Sequence, residues 1–322
     1  MALELNDAIT KLGKLLQADQ LIIFVGSGIS RPSNIPTWDG FLDEFLDMAK
    51  HLTIEDETHK TELEQIIEDA KRQKVGDIFK DPIRVATVVK EKINECSLSD
   101  NALAQQEYNN WLSKTVGNKK PNELHRLIIG TDYPYILTTN YDLLLEKAAS
   151  EIGALQLATS ASYTFKDGLK IMSAIHRNKP CIIHIHGSAT GKNDLEEIIL
   201  TKEDYNQIIR KKHEGFSFAL RMLFTRYSTL FVGYGGSDPH LEDISEELAE
   251  YYPINQEERH PLPHSFLVTR RDKYDTVFER WKNRVRTDLI IIDNYHQYQY
   301  LLDELRKMKP RKRVDGRQLS II

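Results

Sequence analysis

The chain has 322 residues, 40% of them hydrophobic and 28% charged, with a formal net charge of −5. Those values suit a globular protein of one large or two ordinary domains, and they exclude binding to nucleic acid through bulk charge. Two cysteines, Cys96 and Cys181, and no C-x-x-C exclude a four-cysteine zinc site and a disulfide framework. The expected compartment is therefore a reducing cytoplasm. No apolar run approaches the roughly 20 residues of a membrane span.

Leu5, Ile9, Leu12, Leu15 and Leu16 recur at helical spacing and predict a helix over 4–17. It carries acidic residues and lacks the basic start and unbroken apolar stretch of a signal peptide. The apolar run at 21–25 reads as a strand and ends in Gly26-Ser27-Gly28. The third glycine of the dinucleotide fingerprint is absent: Arg31 stands there, followed by Pro32. "RPSNIPTWDG" is loop-like. From 41 to about 129 the pattern is helical, with segments near 39–51, 57–74, 81–96 and 100–116 and no strand candidate. This predicts a helical module, residues 39–130, inserted into the fold. Its size and its lack of chemistry-bearing clusters point to assembly or gating. Strands return in "YPYILTTNYD", "CIIHIHG", "TLFVGYGG", "HSFLVT" and "DLIIIDNY". Helical stretches at 143–152, 201–227, 239–252, 273–283 and 296–308 alternate with them. The alternation predicts an α/β fold with a Rossmann-like, mostly parallel sheet, which binds ligands at the carboxyl ends of its strands. The tail 310–322 is basic and expected to be mobile.

Four strands end in a burst of small or polar residues: Gly26-Ser27-Gly28, Thr139-Asn140-Tyr141-Asp142, His184-Ile185-His186-Gly187 and Gly233-Tyr234-Gly235-Gly236-Ser237-Asp238. Each has an ordinary explanation on its own. A glycine turn is a turn, Asn140 or Asp142 caps a helix, His186 is a loop histidine, and Ser237-Asp238-Pro239 starts a helix. Together they exceed what αβ loops require. In a parallel sheet all of them fall along one edge, where they can form a single composite site.

In this order the bursts resemble the sirtuin (SIR2-like) family. "GSGIS" resembles its Gly-Ala-Gly-hydrophobic-Ser loop, "NIPTW" its Gly-Ile-Pro segment, "TTNYD" its Thr-Gln-Asn-hydrophobic-Asp and "IHIHGS" its His-Gly. "FVGYGGSD" stands where the family has Val-Gly-Thr-Ser, and with "TTNYD" it resembles the bacterial SIR2-like branch of anti-phage defence proteins. The resemblance covers 20–38 and about 131–309. It implies a discontinuous NAD-binding domain, 1–38 plus 131–309, around the helical insertion, with NAD as substrate and no metal.

By that resemblance Asn140 binds the ribose hydroxyls or the attacking water, and His186 is the general base. Asp142 either orients a neighbour or caps its helix. His184, two residues before His186, is expected to be structural. Gly26, Ser27, Gly28, Ser30, Gly233, Gly235, Gly236 and Ser237 are expected around the cofactor, mostly at its diphosphate. Ile35, Pro36 and Trp38 are expected as a lid, and Asp293 at the adenosine end. A valine at Gly28 is expected to block the pyrophosphate while the fold survives.

The function so implied is an NAD+ glycohydrolase that releases ADP-ribose and nicotinamide. It would act as a defence effector by depleting NAD and be restrained by assembly, by the module or by a partner. Homo-oligomerisation is expected, together with a separate chain such as a hexameric DNA-translocase-like ATPase or an Argonaute-type protein. No membrane is involved, and nucleic acid enters only indirectly. The alternatives are an NAD or ADP-ribose sensor without turnover, a protein deacylase and a nucleic-acid-processing subunit. The missing zinc module and the long stretch between Asn140 and His186 disfavour deacylation.

Overall fold

The computed structural model describes residues 2–54, 56–72, 74–75, 78–79, 81–100, 103–117, 119–189, 198–207, 213–235, 238, 241, 243–244, 246–247, 263–281 and 287–312. Gly236, Ser237, most of the expected helix at 239–252 and the tail beyond 312 lie outside the described residues.

In chain order the elements are β1 (Ala2–Leu3), α1 (Leu5–Gln17), β2 (Leu21–Val25), α2 (Trp38–Lys50), α3 (Glu57–Arg72), β3 (Lys74–Val75) and β4 (Ile78–Phe79). Next come α4 (Pro82–Asp100), α5 (Leu103–Leu112), α6 (Glu123–Gly130), β5 (Tyr135–Thr138), α7 (Leu144–Glu151), α8 (Leu155–Thr159), β6 (Ser162–Thr164), α9 (Gly168–His176) and β7 (Cys181–His184). The chain continues through α10 (Lys202–Gln207), α11 (Glu214–Arg226), β8 (Ser228–Val232), β9 (Ser265–Arg270), α12 (Tyr274–Trp281), β10 (Thr287–Ile292) and α13 (His296–Met308).

An eight-stranded sheet runs in the order β1-β10-β9-β8-β2-β5-β7-β6, and every neighbouring pair is parallel. The α/β class is therefore as the alternation predicts. β2, β5, β7 and β8 are buried along their whole length. That is why each carries a run of at least three adjacent apolar residues rather than an alternating pattern. From β2 the chain moves to β5 and on to the β7 side. It then returns to β8 on the other flank of β2 and continues outward. The order thus reverses between β8 and β2, which is where an open parallel sheet holds its ligand.

One face of the sheet is covered by α1, α6, α7 and α13, through Leu12, Leu16, Leu127, Ile128, Leu145, Leu301 and Leu305. The other is covered by α9 and α11, through Ile171, Ile175, Phe216, Leu220 and Leu223. A third apolar cluster joins α2, α3, α4 and α5 through Phe41, Phe45, Leu63, Ile67, Val89, Tyr108 and Leu112. Ile35, Tyr141, Ala189, Ile198 and Leu200 belong to the same cluster. All five follow β2, β5 or β7, so the helical module packs on the loops at the carboxyl edge of the sheet.

Several local expectations change. The module contains a strand pair, β3 with β4, antiparallel and two residues each. β1, with two residues, and β6, with three, are also outside the expected strands; runs this short show no alternation to read. α6 lies in the sequence range 39–130 but packs in the sheet's core. The expected helix at 201–227 is two helices, parted at His213, whose backbone is not helical. The tail is not mobile from its start. Pro310 bridges Thr131, and the buried Arg311 guanidinium donates to the carbonyls of Ile129, Thr131 and Tyr133 at 2.9, 3.0 and 2.9 Å. It also pairs with Asp132 at 3.1 Å.

Candidate active site

The loops after β2 and β8 meet backbone to backbone. Gly26 N–H donates to Val232 O and Gly28 N–H to Gly233 O, both at 2.9 Å. A Cβ on Gly26 would stand 2.5 Å from Gly233 O, and one on Gly28 would stand 2.9 Å from Gly233 Cα. Gly233 itself has φ +62°, a region that glycine tolerates and a branched residue does not. These glycines are needed by the contact between the two loops before any ligand is considered. A Gly28→Val change therefore carries a cost to the fold as well as to any ligand. A valine there overpacks two fixed backbones and is expected to lower stability by about 1–3 kcal/mol. A Cβ on Gly235 meets nothing within 4 Å. Calorimetric melting should show a clear drop for Gly28→Val and none for Gly235→Ala. Beyond Gly26 the chain makes two short 3-10 turns, Ser27–Ile29 and Arg31–Ser33, and then turns at Asn34 with φ +58°. No long helix starts at the loop, so the third fingerprint glycine has no packing role to fill.

Asn140 and its neighbours form a hydrogen-bond network in which the donors can be assigned. Asn122 caps α6 and sends its backbone N–H to His125 Nδ1 at 3.2 Å. Burial pushes the His125 imidazole down to about 3, so it is neutral and carries its proton on Nε2. That N–H donates to Ser30 Oγ at 3.3 Å, and the Asn140 amide donates to the same oxygen at 3.0 Å. With two donors arriving, the Ser30 proton goes to Asp142 Oδ2, 2.8 Å away. Asp142 Oδ1 accepts from Leu144 N–H at 3.1 Å. Both readings of Asp142 are therefore present in one side chain. Burial pushes its carboxyl up, against the Ser30 hydrogen bond. The other amide hydrogen of Asn140 points at Gly26 O, 3.3 Å away. Asn140 Oδ1 is left buried with no hydrogen-bond partner among the described residues.

His125 was not legible as a site residue. The signal for it was the N-cap Asn122 followed three residues later by a histidine. Its place inside a helical stretch without other chemistry hid that signal.

His184 sits on β7 in register with Thr138 of β5. Its Nδ1 faces Asn140 O at 3.0 Å and its Nε2 faces Glu146 Oε1 at 2.8 Å. Both partners accept, so both ring nitrogens donate and the imidazole is protonated. Burial alone would push it down; the Glu146 carboxylate outweighs that and raises it. Burial likewise opposes Glu146, and the His184 charge together with hydrogen bonds from His184 and Ser162 lowers it. The structural role expected of His184 takes the form of a buried ion pair that holds the backbone of Asn140.

His186 lies beyond β7 as Asn140 lies beyond β5, at the same level of two paired strands. Gly187, with φ +78°, lets the chain fold back to a bridge with Ile198, and Ile199 N–H donates to His186 O at 2.9 Å. The imidazole Nε2 is 2.8 Å from Asp238 Oδ2 and 3.4 Å from the Tyr205 hydroxyl. Asp238, expected as part of a helix start, does cap through Oδ1, which accepts from Leu241 N–H at 3.1 Å. Its second oxygen is the part the sequence reading missed.

The remaining expected residues divide. Ser27 lies in the first turn of the glycine loop. Ile35 and Trp38 flank Pro36 and pack into the module's core, with Trp38 stacked on Phe41 at 5.9 Å. Asp293 is exposed beyond β10, where Arg271 holds it at 2.7 Å, and it joins none of the other residues. Among the described residues no group of three or more His, Cys, Asp or Glu side chains is placed to hold a metal ion.

A parallel sheet whose strand order reverses beside a glycine loop defines a Rossmann-like class of fold. Residues 134–290 match the family model of the SIR2-like domain. The NAD(+) hydrolase ThsA of Cytobacillus dafuensis is 22% identical over 98% of this chain and 58% of its own length. ThsA of Acinetobacter baumannii (strain 532279) is 22% identical over 88% and 50%. ThsA of Bacillus cereus (strain MSX-D12) is 24% identical over 57% and 38%. The chain thus spans about half the length of the curated relatives it matches.

Proposed function

We propose that the protein cleaves NAD+ at its nicotinamide glycosidic bond, giving ADP-ribose and nicotinamide. The observation that carries this reading is Asn140 Oδ1, a buried acceptor with no partner among the described residues, beside the glycine loop and two residues past a strand paired with the one His186 follows. An unpaired buried carbonyl costs free energy, and a ribose hydroxyl or a water delivered there recovers it. The names of the relatives support the substrate.

In the reaction the bond between ribose C1′ and the nicotinamide ring nitrogen breaks, and its electron pair neutralises the ring's positive charge. Water adds to C1′ and loses a proton to His186. The leaving group needs no acid. The protein's tasks are to orient the ribose, limit water and accept one proton. Asn140 does the first through a neutral amide whose orientation Gly26 O and Ser30 fix.

Restraint of the reaction falls to the helical module, to assembly or to a separate partner chain. The module is favoured because its apolar core includes residues that follow β2, β5 and β7. The direct test incubates the purified chain with NAD and follows nicotinamide, alone and with the products of neighbouring genes. Release that depends on His186 supports the proposal. Tight NAD binding without release under every condition replaces it with a sensor.

A further inference from the structure

We infer that Asp238 is the positioning residue of the base, holding the proton of His186 on Nε2 so that Nδ1 receives the proton from the nucleophile. The inference rests on the proposed NAD-cleaving reading and deepens it, since neither the sequence pattern nor the relatives' names assign Asp238 a part in the chemistry.

The geometry carries it. Asp238 Oδ2 lies 2.8 Å from His186 Nε2, and both side chains are buried, at 5% and 8% relative exposure. A carboxylate only accepts, so the ring nitrogen facing it is the protonated one. No described residue hydrogen-bonds to Nδ1, which is left with its lone pair. The carboxylate cannot swing away, because Oδ1 is held by Leu241 N–H at 3.1 Å. Tyr205 closes the pair from the side. Burial keeps its phenol protonated, and its hydroxyl donates to Asp238 Oδ2 at 3.4 Å. Its ring stands edge-on to the imidazole, with centroids 5.3 Å apart and planes at 78°. The start of α10 is fixed in turn by Asp204, which accepts from Leu200 N–H and Thr201 N–H and pairs with Lys90 of α4. Proton, ring and supporting hydroxyl are thus set before substrate arrives. A fixed imidazole of this kind needs no reorganisation when it takes a proton.

The same geometry makes an unusual ranking of variants. In Asp238→Asn the amide oxygen must stay on the Oδ1 side to keep accepting from Leu241 N–H. Its NH2 then faces His186 Nε2, a donor against a donor. The imidazole proton must move to Nδ1, and the base is lost. In Asp238→Ala nothing forces either tautomer. Asparagine is therefore the more damaging change to kcat although it is the better steric match. A purely structural carboxylate gives the reverse order.

The experiment uses the full chain with NAD, measuring kcat for nicotinamide release beside melting temperature. Asp238→Asn is expected to lower kcat about 10²-fold or more, in the range of a lost general base, with KM little changed. Asp238→Ala is expected to lower kcat less but to melt lower. A greater kcat loss in Asp238→Ala than in Asp238→Asn overturns the inference. The ring 15N shifts of His186, identified by their loss in His186→Ala, provide a readout that needs no turnover. They should report Nε2–H in the wild type and Nδ1–H in Asp238→Asn. A wild-type proton on Nδ1 overturns the inference whether or not NAD is cleaved. The expected shifts in a chain that never cleaves NAD uphold the positioning and reject the reaction instead.

Discussion

Asn140→Ala and His186→Ala will each lower nicotinamide release from NAD by about 10²- to 10⁴-fold, the range typical of a removed general base or a removed orienting group. The two losses have different origins. Alanine at 140 deletes the unpartnered Oδ1 together with the amide that bridges Gly26 O and Ser30 Oγ. Alanine at 186 deletes the proton acceptor and leaves Asp238 without its imidazole partner. Both chains should retain their far-ultraviolet circular dichroism, because the strands beneath them, β5 and β7, are held by their own ladder and by apolar burial on both faces. His186→Ala is expected to melt lower than Asn140→Ala, since it takes the imidazole partner from a buried carboxylate. Wild-type rates in both variants would remove the catalytic assignment.

The second large effect is on stability. Glu146→Ala will destabilise the chain by about 3–5 kcal/mol, the cost of leaving one member of a buried ion pair without the other. His184 and Glu146 lie under the Asn140 backbone, so activity should fall as well. The pair also sets a pH window. His184 is raised in the folded state, so its contribution is full below its ordinary value of 6.5 and is lost as pH rises through the raised one. Glu146 is lowered, so its contribution is full above its ordinary value of 4.5 and is lost as pH falls through the lowered one. The pair therefore stabilises most between those two ordinary values and less on either side. Chemical denaturation across pH should show this maximum flattened in Glu146→Gln, where a neutral acceptor faces His184. An unaltered pH profile in that variant would mean that the pair carries no net charge interaction.

The class of fold was open to reading because its cause is local. Parallel strands covered on both faces are mostly apolar, so Leu21–Val25 and the Cys181-Ile182-Ile183 run of β7 stand out between helical periods. The polar residues after them stand out for the complementary reason, since a connecting loop needs one turn and one cap. Where the local signal was weak, so was the reading. β3 and β4 have two residues each, and α6 looks like one more helix of the module until its packing against α7 and α13 is seen.

By itself the sequence determined the alternation of strands and helices, the glycine loop, and the presence of Asn140 and His186 at the ends of two strands. It also named Gly26 and Gly28, but attributed their need to a ligand. Only the tertiary structure showed that Gly233 presses on both. Only the tertiary structure brought His125 from α6 to Ser30, Glu146 from α7 to His184, and Asp238 from beyond β8 to His186. The physical reason is the same in each case. A strand or a helix is selected by residues two to four positions apart, and its period is visible along the chain. A hydrogen bond between side chains 38, 52 or 95 residues apart is selected by the sheet's strand order and by how each helix docks, and neither leaves a period in the sequence.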